Sequence, residues 1–391
     1  MESIYLNKNE ERRLLNGHQW IFSNELKSVP KDIEKGSVVK VFSAQNKFLG
    51  IGFYNPHSLI SFRFLSKRET HIDQLFFESR ILRARDFREK IYPKSTTNAY
   101  RLVHAESDFL PGLIIDKFDN SFSIQTFSAG MENHIQTICD VLIAHFSPEN
   151  IVLRNESQLR ELENLPQEKK VLLGNPTDLI RIYDTEIQYD IDILNGHKTG
   201  FFLDQRENRK RIRPFAQDAH VLDIFTSDGG FSLNAAYGKA KEILAVDISE
   251  EALKRAHHNA EINQLKIENL IKEDAFSFIE KLEHEERKFD LVILDPPSLT
   301  KSKKTVSTAI HAYKKLNRSA IKLVKKGGFL ATASCSHHVG EDLFLSIVQK
   351  AANDAHRKVQ LIERAAQAPD HPVLISMPET QYLKFAIFHV S

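Results

Sequence analysis

A chain of 391 residues exceeds one ordinary core and divides into two or three domains of roughly 100–200 residues each. An apolar share of 41%, a charged share of 27% and a net charge of +1 describe a globular protein that does not coat polyanions wholesale, although local basic patches remain open. Two cysteines exclude a disulfide framework, the start "MESIYLNKNEERR" is unlike a secretory signal, and no apolar run approaches the roughly 18 residues of a membrane span, so a reducing cytoplasm is expected.

The first segment, to about residue 75, alternates short β-like runs with turns. Val38 to Phe42, Phe48 to Phe53 and Leu59 to Phe64 are the predicted strands of a small barrel or sandwich. A charged helix follows in "IDQLFFESRILRARDFREKIY", with Leu75, Phe76, Ile81, Leu82 and Phe87 near helical spacing. Residues 95–180 read as a small α+β unit. Its strands are "PGLIIDKF", "SFSIQTFS" and "NIVLRN", and its helix is "MENHIQTICDVLIAHF", where Cys139 is a core hydrophobe.

From about residue 185 the rhythm changes. Continuous apolar runs, "AHVLDIF", "EILAVDIS", "NLIKEDAF", "KFDLVILDPP" and "GGFLATASCS", alternate with helical stretches. Strands without polar alternation are buried on both faces, and helices between them imply a doubly wound parallel sheet. The tail "PVLISMPETQYLKFAIFHV" is expected to add two further strands.

Each buried run ends in a group that core packing would not choose: Asp223, Asp247, Asp274, Asp295 and Cys335. Carboxyl ends of parallel strands face one crevice, where ligands bind. Gly229 and Gly230 in "LDIFTSDGGFS" fit a turn passing close to a ligand, though an ordinary tight turn would also use them; the stretch lacks both the GxGxxG pattern and a phosphate-loop lysine. Asp247 has the position of an acceptor for ribose hydroxyls, and Asp274 that of an acceptor for an adenine amino group. Two prolines after Asp295 bar a helix start and fix the carboxylate's direction. Lys301, Lys303 and Lys304 follow it and suit substrate phosphates. "RENRKRIRP", including Arg209 and Arg211, and "SRILRARDFREK" concentrate further cations for RNA, or are simply exposed helix charges.

With these residues the chain resembles class I S-adenosylmethionine-dependent methyltransferases. More closely it is similar to the ribosomal large-subunit methyltransferase I family, which makes 5-methylcytosine in 23S rRNA. The likeness runs nearly end to end. It is carried by "GHQWIFSNEL", "YNPHSLISFR", "RLVHAESDFLPGLIIDKF", "NGHKTGFFLDQRENR", "LDIFTSDGGFS", "DPPSLTKSKK", "SCS" and "DHPVLISMPETQYLK". It implies a multidomain α/β chain. Residues 1–75 form a PUA-like RNA-binding β-barrel, 76–184 a small α+β middle domain with its connecting helix, and 185–391 a Rossmann-like methyltransferase domain. Asp223, Phe225, Gly229, Gly230, Phe231, Asp247, Ile248, Asp274, Ala275 and Asp295 would hold S-adenosyl-L-methionine, with Phe202, Gln205 and Arg206 packed over it. The partner implied is 23S rRNA or an assembling large subunit, with a homodimer as a family expectation. His197 replaces the family's usual glutamine, and Asp228 in "TSD" adds a negative charge near the methionine end of the cofactor.

The resemblance gives Cys335 a chemistry. Carbon 5 of cytosine is a poor nucleophile, and a thiolate adding at carbon 6 turns it into an electron-rich enamine carbon. Protonated Asp295 would hydrogen-bond N3 of the ring. Asp295, a water or His337 would then remove the carbon 5 proton, and His337, His338 or Arg206 would lower the thiol pKa. No zinc-type Cys/His spacing surrounds these histidines, so no metal is expected. Ser298 after the prolines, where amino-group methylases carry an aromatic, argues against that chemistry. Two other readings stay open: a methyltransferase acting on guanine or another position of rRNA or tRNA with Cys335 structural, and a cofactor- and RNA-binding assembly factor.

Overall fold

The computed structural model describes residues 1–391 apart from Lys31, Lys301 and Ser302, and gives only the backbone of Lys303. The chain divides into two compact units, residues 1–185 with 191–202 and 369–380, and residues 186–190 with 203–368 and 381–391.

The first unit begins with β1 (Ser3–Leu6), α1 (Glu11–Leu15), β2 (Trp20–Ile21), β3 (Leu26–Ser28), β4 (Val38–Phe42), β5 (Phe48–Tyr54) and β6 (Phe62–Ser66), whose six strands pair in the order β2-β6-β5-β4-β1-β3. The expected strand at Leu59 starts instead at Phe62. Residues 55–61 fold back in a turn, with Asn55 N donating to Ser61 O at 2.9 Å. Next come α2 (Gln74–Ile91), β7 (Ala99–His104), β8 (Leu113–Phe118), β9 (Ser121–Thr126), α3 (Ala129–Glu132), α4 (Ile135–Phe146), β10 (Asn150–Asn155) and β11 (Glu168–Leu173), with the sheet order β11-β10-β9-β8-β7. Ile51, Phe53 and Leu65 of the first sheet share a core with Phe77, Leu102, Phe122 and Cys139, so the barrel-like and α+β parts pack as one body. Buried charge is matched: Arg63 pairs with Glu106 at 3.1 Å and Glu163 at 2.9 Å. Losing one partner of such a cluster leaves an uncompensated buried charge.

Two short strands, β12 (Ile180–Asp184) and β13 (Ile187–Ile191), precede the second unit's main body. There the order is α5 (Arg206–Arg211), α6 (Arg213–Ala216), β14 (His220–Ile224), α7 (Gly230–Tyr237), β15 (Glu242–Asp247), α8 (Glu250–Ile262), β16 (Asn269–Lys272), α9 (Ala275–His284), β17 (Phe289–Leu294), α10 (Val306–Leu323), β18 (Val324–Ser334), α11 (Glu341–Asp354), β19 (Val359–Ala365) and β20 (Lys384–Val390). These strands form one seven-stranded sheet, β16-β15-β14-β17-β18-β20-β19. The first five run parallel and β20 is antiparallel to both neighbours.

Alternate residues of each strand feed opposite cores. Leu222, Ile224, Val292 and Leu294 pack with α9, α10 and α11. Val221, Ile243, Leu291 and Ile293 pack with α6 and α7. Each fully buried side chain of this kind stabilises the fold by roughly 1.5–3 kcal/mol, which is why the strands read as unbroken apolar runs. The strand order reverses between β14 and β17, opening a crevice at their carboxyl ends.

The expected pair of C-terminal strands is corrected. Residues 372–383 form a loop with one short helical turn, and only Lys384–Val390 is a strand there. The second strand is the earlier Val359–Ala365, an edge with no buried side chain, where apolar Leu361 and Ile362 are exposed and hide its pattern.

Candidate functional site

The loop after β14 is built around a buried carboxylate. Asp223 lies one residue inside the strand, on the face toward α7, and is fully buried. Its Oδ2 accepts from Thr226 Oγ1 and Ser232 Oγ, both at 2.6 Å, while its buried Oδ1 has no hydrogen-bond partner. Burial pushes the Asp223 pKa up to about 6, opposed by those two hydroxyls. The ionised form is therefore disfavoured in the fold, and the stability this group supplies is full below the ordinary pKa of about 3.9 and lost as pH rises through 6. Measured against Asp223→Asn, the unmodified chain is expected to lose about 1–3 kcal/mol of unfolding free energy between pH 4 and pH 7.5, read from urea unfolding at the two pH values. A constant difference would refute this.

The loop is clamped to the end of β15. Phe225 N and Thr226 N donate to Val246 O at 3.0 Å. Asp247 accepts from Ser227 N and Ser249 N, both at 2.9 Å, which fixes its carboxylate while leaving lone pairs for a further donor. Ser249 caps α8, its side chain accepting from Ala252 N. The glycines also have a reason within the protein's own packing. Gly229 adopts φ +80° and a Cβ there would meet Ala256 Cβ at 2.9 Å; a Cβ on Gly230 would meet Arg209 Cδ at 2.8 Å. They let α7 pack on α8 and on Arg209. Asp228 is also tamed. It is buried against Arg255, with Nη2 to Oδ1 at 2.9 Å, so its charge is compensated within the protein.

Phe231 is buried in the core, and Ile248, after Asp247, is 69% exposed. Asp274 is the N-cap of α9, accepting from Ser277 N at 3.0 Å, with Ala275 the first helical residue. It stands beyond the end of β16, exposed at the same edge as Asp247.

Across the reversal, β17 delivers Asp295 and β18 delivers Cys335. The pairing Leu294↔Thr332 sets them just beyond the same end of two neighbouring strands. Gln205 Nε2 donates to Asp295 Oδ1 at 2.9 Å, and Asn208 Nδ2 in turn donates to Gln205 Oε1 at 2.7 Å and to Ala366 O at 3.1 Å. The chain of amides fixes the carboxylate's direction. The two loops are tied together: Ser298 Oγ lies 3.1 Å from Ser336 Oγ, which is also 3.0 Å from the Tyr313 hydroxyl. Ser334 and Ser336 are fully buried, and Cys335 between them is partly exposed. Cys139 is the opposite case, a buried helix thiol whose pKa burial pushes up to about 11.

Sequence reasoning sought a cation for Cys335 among His337, His338 and Arg206. Both histidines are exposed, His337 with its ring 5.6 Å from Tyr382, and Arg206 is buried at the start of α5. It missed Lys384, which is 5% exposed and donates from Nζ to Ser336 O and Tyr382 O, both at 2.7 Å. The one signal in the sequence was a lysine opening an otherwise apolar strand, "KFAIFHV".

Phe202 belongs to the first unit, with Lys198 Nζ 4.5 Å from its ring centroid. The basic run at 206–214 does not present a cationic strip, which corrects the expectation for Arg209. It is 3% exposed and stacks over Tyr189 at 5.7 Å, while Arg211 pairs with Glu363 at 2.6 Å. On α2, Arg88 is buried against Asp108, whereas Arg83 and Lys90 are exposed. Lys304 is exposed; Lys301 and the side chain of Lys303 lie outside the described residues. Among the described residues no His/Cys/Asp/Glu group is arranged to hold a metal ion, and no helix is long and apolar enough to cross a membrane.

Residues 4–67 match the family model of a PUA-like domain, and residues 163–385 that of an S-adenosylmethionine-dependent methyltransferase. The chain is 38% identical over 392 residues to ribosomal RNA large subunit methyltransferase I of Pseudoalteromonas translucida, covering 99% of each, and 37% identical over 387 residues to its namesake in Vibrio parahaemolyticus, covering 98% of each. Two solved structures share its fold over their full lengths. One is SMU.776, described as a methyltransferase and complexed with SAH (TM-score 0.87, 21% identity, covering 100% of both chains). The other is a SAM-dependent methyltransferase from Streptococcus mutans (TM-score 0.85, 20% identity, covering 100% of both chains). The expected fold class, a PUA-like domain followed by a Rossmann-like methyltransferase sheet, is the one found.

Proposed function

The chain belongs to the family of ribosomal RNA large subunit methyltransferase I, and from that premise we propose that it methylates carbon 5 of a cytosine in 23S rRNA, with Cys335 as nucleophile. Its cofactor is S-adenosylmethionine, which when bound supplies an electrophilic methyl group. The residues fit that group. Asp247 keeps lone pairs for ribose hydroxyls, Asp274 stands beside it for the adenine amino group, and the unpartnered buried oxygen of Asp223 marks a loop short of one donor. Phe225, Gly229, Gly230, Phe231, Ile248 and Ala275 complete the cofactor-holding set in this reading, with Gln205 and Arg206 at its edge and Phe202 as a further contact.

The observation that carries the proposal is the hydrogen-bonded pair Ser298–Ser336, which joins the Asp295 loop to the loop of the partly exposed thiol. The Cys335 thiolate bonds to carbon 6, and the displaced π pair makes carbon 5 electron-rich, with Asp295 stabilising the charge at N3 through its proton. Once carbon 5 carries the methyl group, a base takes its proton, the carbon 6–sulfur bond breaks and the thiolate returns. The target base must leave its stack for the thiol to reach the ring face.

In the same reading, residues 1–75 grip RNA, 76–184 connect and 185–391 catalyse, with Lys304 and its lysine neighbours on substrate phosphate. The enzyme works where rRNA is assembled, in the cytoplasm. The test is to incubate the protein with S-adenosylmethionine and 23S rRNA transcribed with 5-fluorocytidine, whose carbon 5 has no proton to lose. A covalent protein–RNA adduct, absent in Cys335→Ala, is expected; methylated RNA without any adduct overturns the covalent route.

A further inference from the structure

A nucleophilic thiol must ionise near neutral pH, and a free cysteine is mostly protonated there. The histidines that follow it in sequence, His337 and His338, are both exposed to solvent. Geometry offers another. Strand β20 pairs antiparallel with β18 so that Lys384 lies opposite Ser334, the residue before the thiol, and its Nζ reaches over to the carbonyl of Ser336, the residue after it. The ammonium thus anchors the Cys335 loop from inside the fold.

We propose that Lys384 is a positioning residue that holds Cys335 as the thiolate while fixing the loop that carries it. The inference rests on the reading of Cys335 as nucleophile. Burial pulls the Lys384 pKa down to about 8, and the charge of Cys335 is what opposes that fall; by reciprocity the ammonium favours the thiolate by the same interaction. Below pH 8 Lys384 keeps its proton, so the support is present at pH 7 and fades as pH rises through 8. The released thiol proton goes to water. The other groups facing this loop are Tyr313 of α10, kept neutral because burial raises its pKa, His337 beside Tyr382, and Asp295 at the end of β17. Tyr382 itself donates its hydroxyl to Asp204 Oδ2 at 2.7 Å, which steadies the strand entry from which Lys384 projects.

The experiment is the pH dependence of iodoacetamide alkylation of the full-length protein. Cys139, pushed up to about 11, stays silent below pH 9, and Cys335→Ser gives the background. The midpoint for Cys335 is expected below the ordinary value of about 8.5, and in Lys384→Met and Lys384→Gln it should rise by about one unit, with alkylation at pH 7 about tenfold slower. The glutamine variant keeps a donor for the two carbonyls, so a merely structural lysine would leave its midpoint in place; Lys384→Arg should keep the low midpoint. Unmoved midpoints in the glutamine variant, or an unmodified protein that already titrates at about 8.5 or higher, overturn the proposal. Alkylation reads ionisation without any RNA, so methyl transfer surviving in Cys335→Ala would sink the nucleophile reading and leave this measurement standing.

Discussion

Cys335→Ala is expected to lower methyl transfer to 23S rRNA on the order of 10⁴-fold or more while leaving S-adenosylmethionine affinity within about threefold. The asymmetry follows from where the sulfur sits. The carboxylates proposed to hold the cofactor lie at the ends of β14, β15 and β16, whereas Cys335 follows β18, on the far side of β17. Removing Sγ deletes the bond to carbon 6 without touching Asp223, Asp247 or Asp274. Nor should alanine disturb the fold. The loop is held by its neighbours, Ser336 to Ser298 and Tyr313, and Lys384 to Ser336 O, none of which uses the thiol. Serine is expected to be equally inactive, because a hydroxyl without an adjacent base is a far weaker nucleophile. The measurement is single-turnover transfer of labelled methyl groups, with cofactor titration as the control. Transfer within about tenfold of the unmodified enzyme would assign Cys335 to structure and favour chemistry at a ring nitrogen or exocyclic amine, which needs no covalent activation.

The sequence carried the methyltransferase sheet clearly because its strands are buried on both faces. "HVLDI" and "FDLVIL" have no polar alternation to confuse with another element, and the polar residues that punctuate them stand out. The same logic failed at the edge. Val359–Ala365 has only one neighbouring strand, and its apolar Leu361 and Ile362 are exposed beside Gln360, Glu363 and Arg364, so no buried face marks it, whereas apolar residues 372–377 resemble a strand they do not form. Burial was also illegible wherever long side chains were concerned. Arg209 sits in a run of cations that looks solvated, yet its stem packs on Gly230 and its head on Tyr189. A guanidinium with an apolar stem fits both settings, and only tertiary contacts decide between them. Lys384 was invisible for a topological reason. Its relation to Cys335 depends on the antiparallel insertion of β20 beside β18, a long-range pairing that no local pattern encodes.

These misses share a direction. Local pattern picked out polar residues at strand ends but not the contacts behind them: Arg255 with Asp228, Lys384 with the Cys335 loop, and Gln205, named only as a cofactor contact, with Asp295. Such supporting residues are ordinary in composition, and their roles exist only once the sheet has brought distant segments together.

In the proposed chemistry Asp295 joins support and catalysis, and Asp295→Asn is expected to lower the transfer rate by about 10²–10⁴-fold with little change in RNA affinity. Asparagine is nearly the same shape, can take the donation from Gln205 through its amide oxygen, and sits on the same proline-fixed turn. What it cannot do is give a proton to N3 as electrons arrive there during thiol addition. The loss should therefore fall on adduct formation itself. With 5-fluorocytidine RNA the variant is expected to accumulate the Cys335 adduct more slowly by the same factor as it methylates ordinary RNA, because both reactions share the addition step. Gln205→Ala leaves the acid in place but removes its orienting amide, and a smaller loss of about tenfold is expected. If Asp295→Asn slows methylation yet forms the adduct at the normal rate, Asp295 acts after addition, as the base that removes the carbon 5 proton, and the stabilisation of N3 falls to another group. Adduct rate and turnover rate, measured on the same enzyme preparation, separate the two roles.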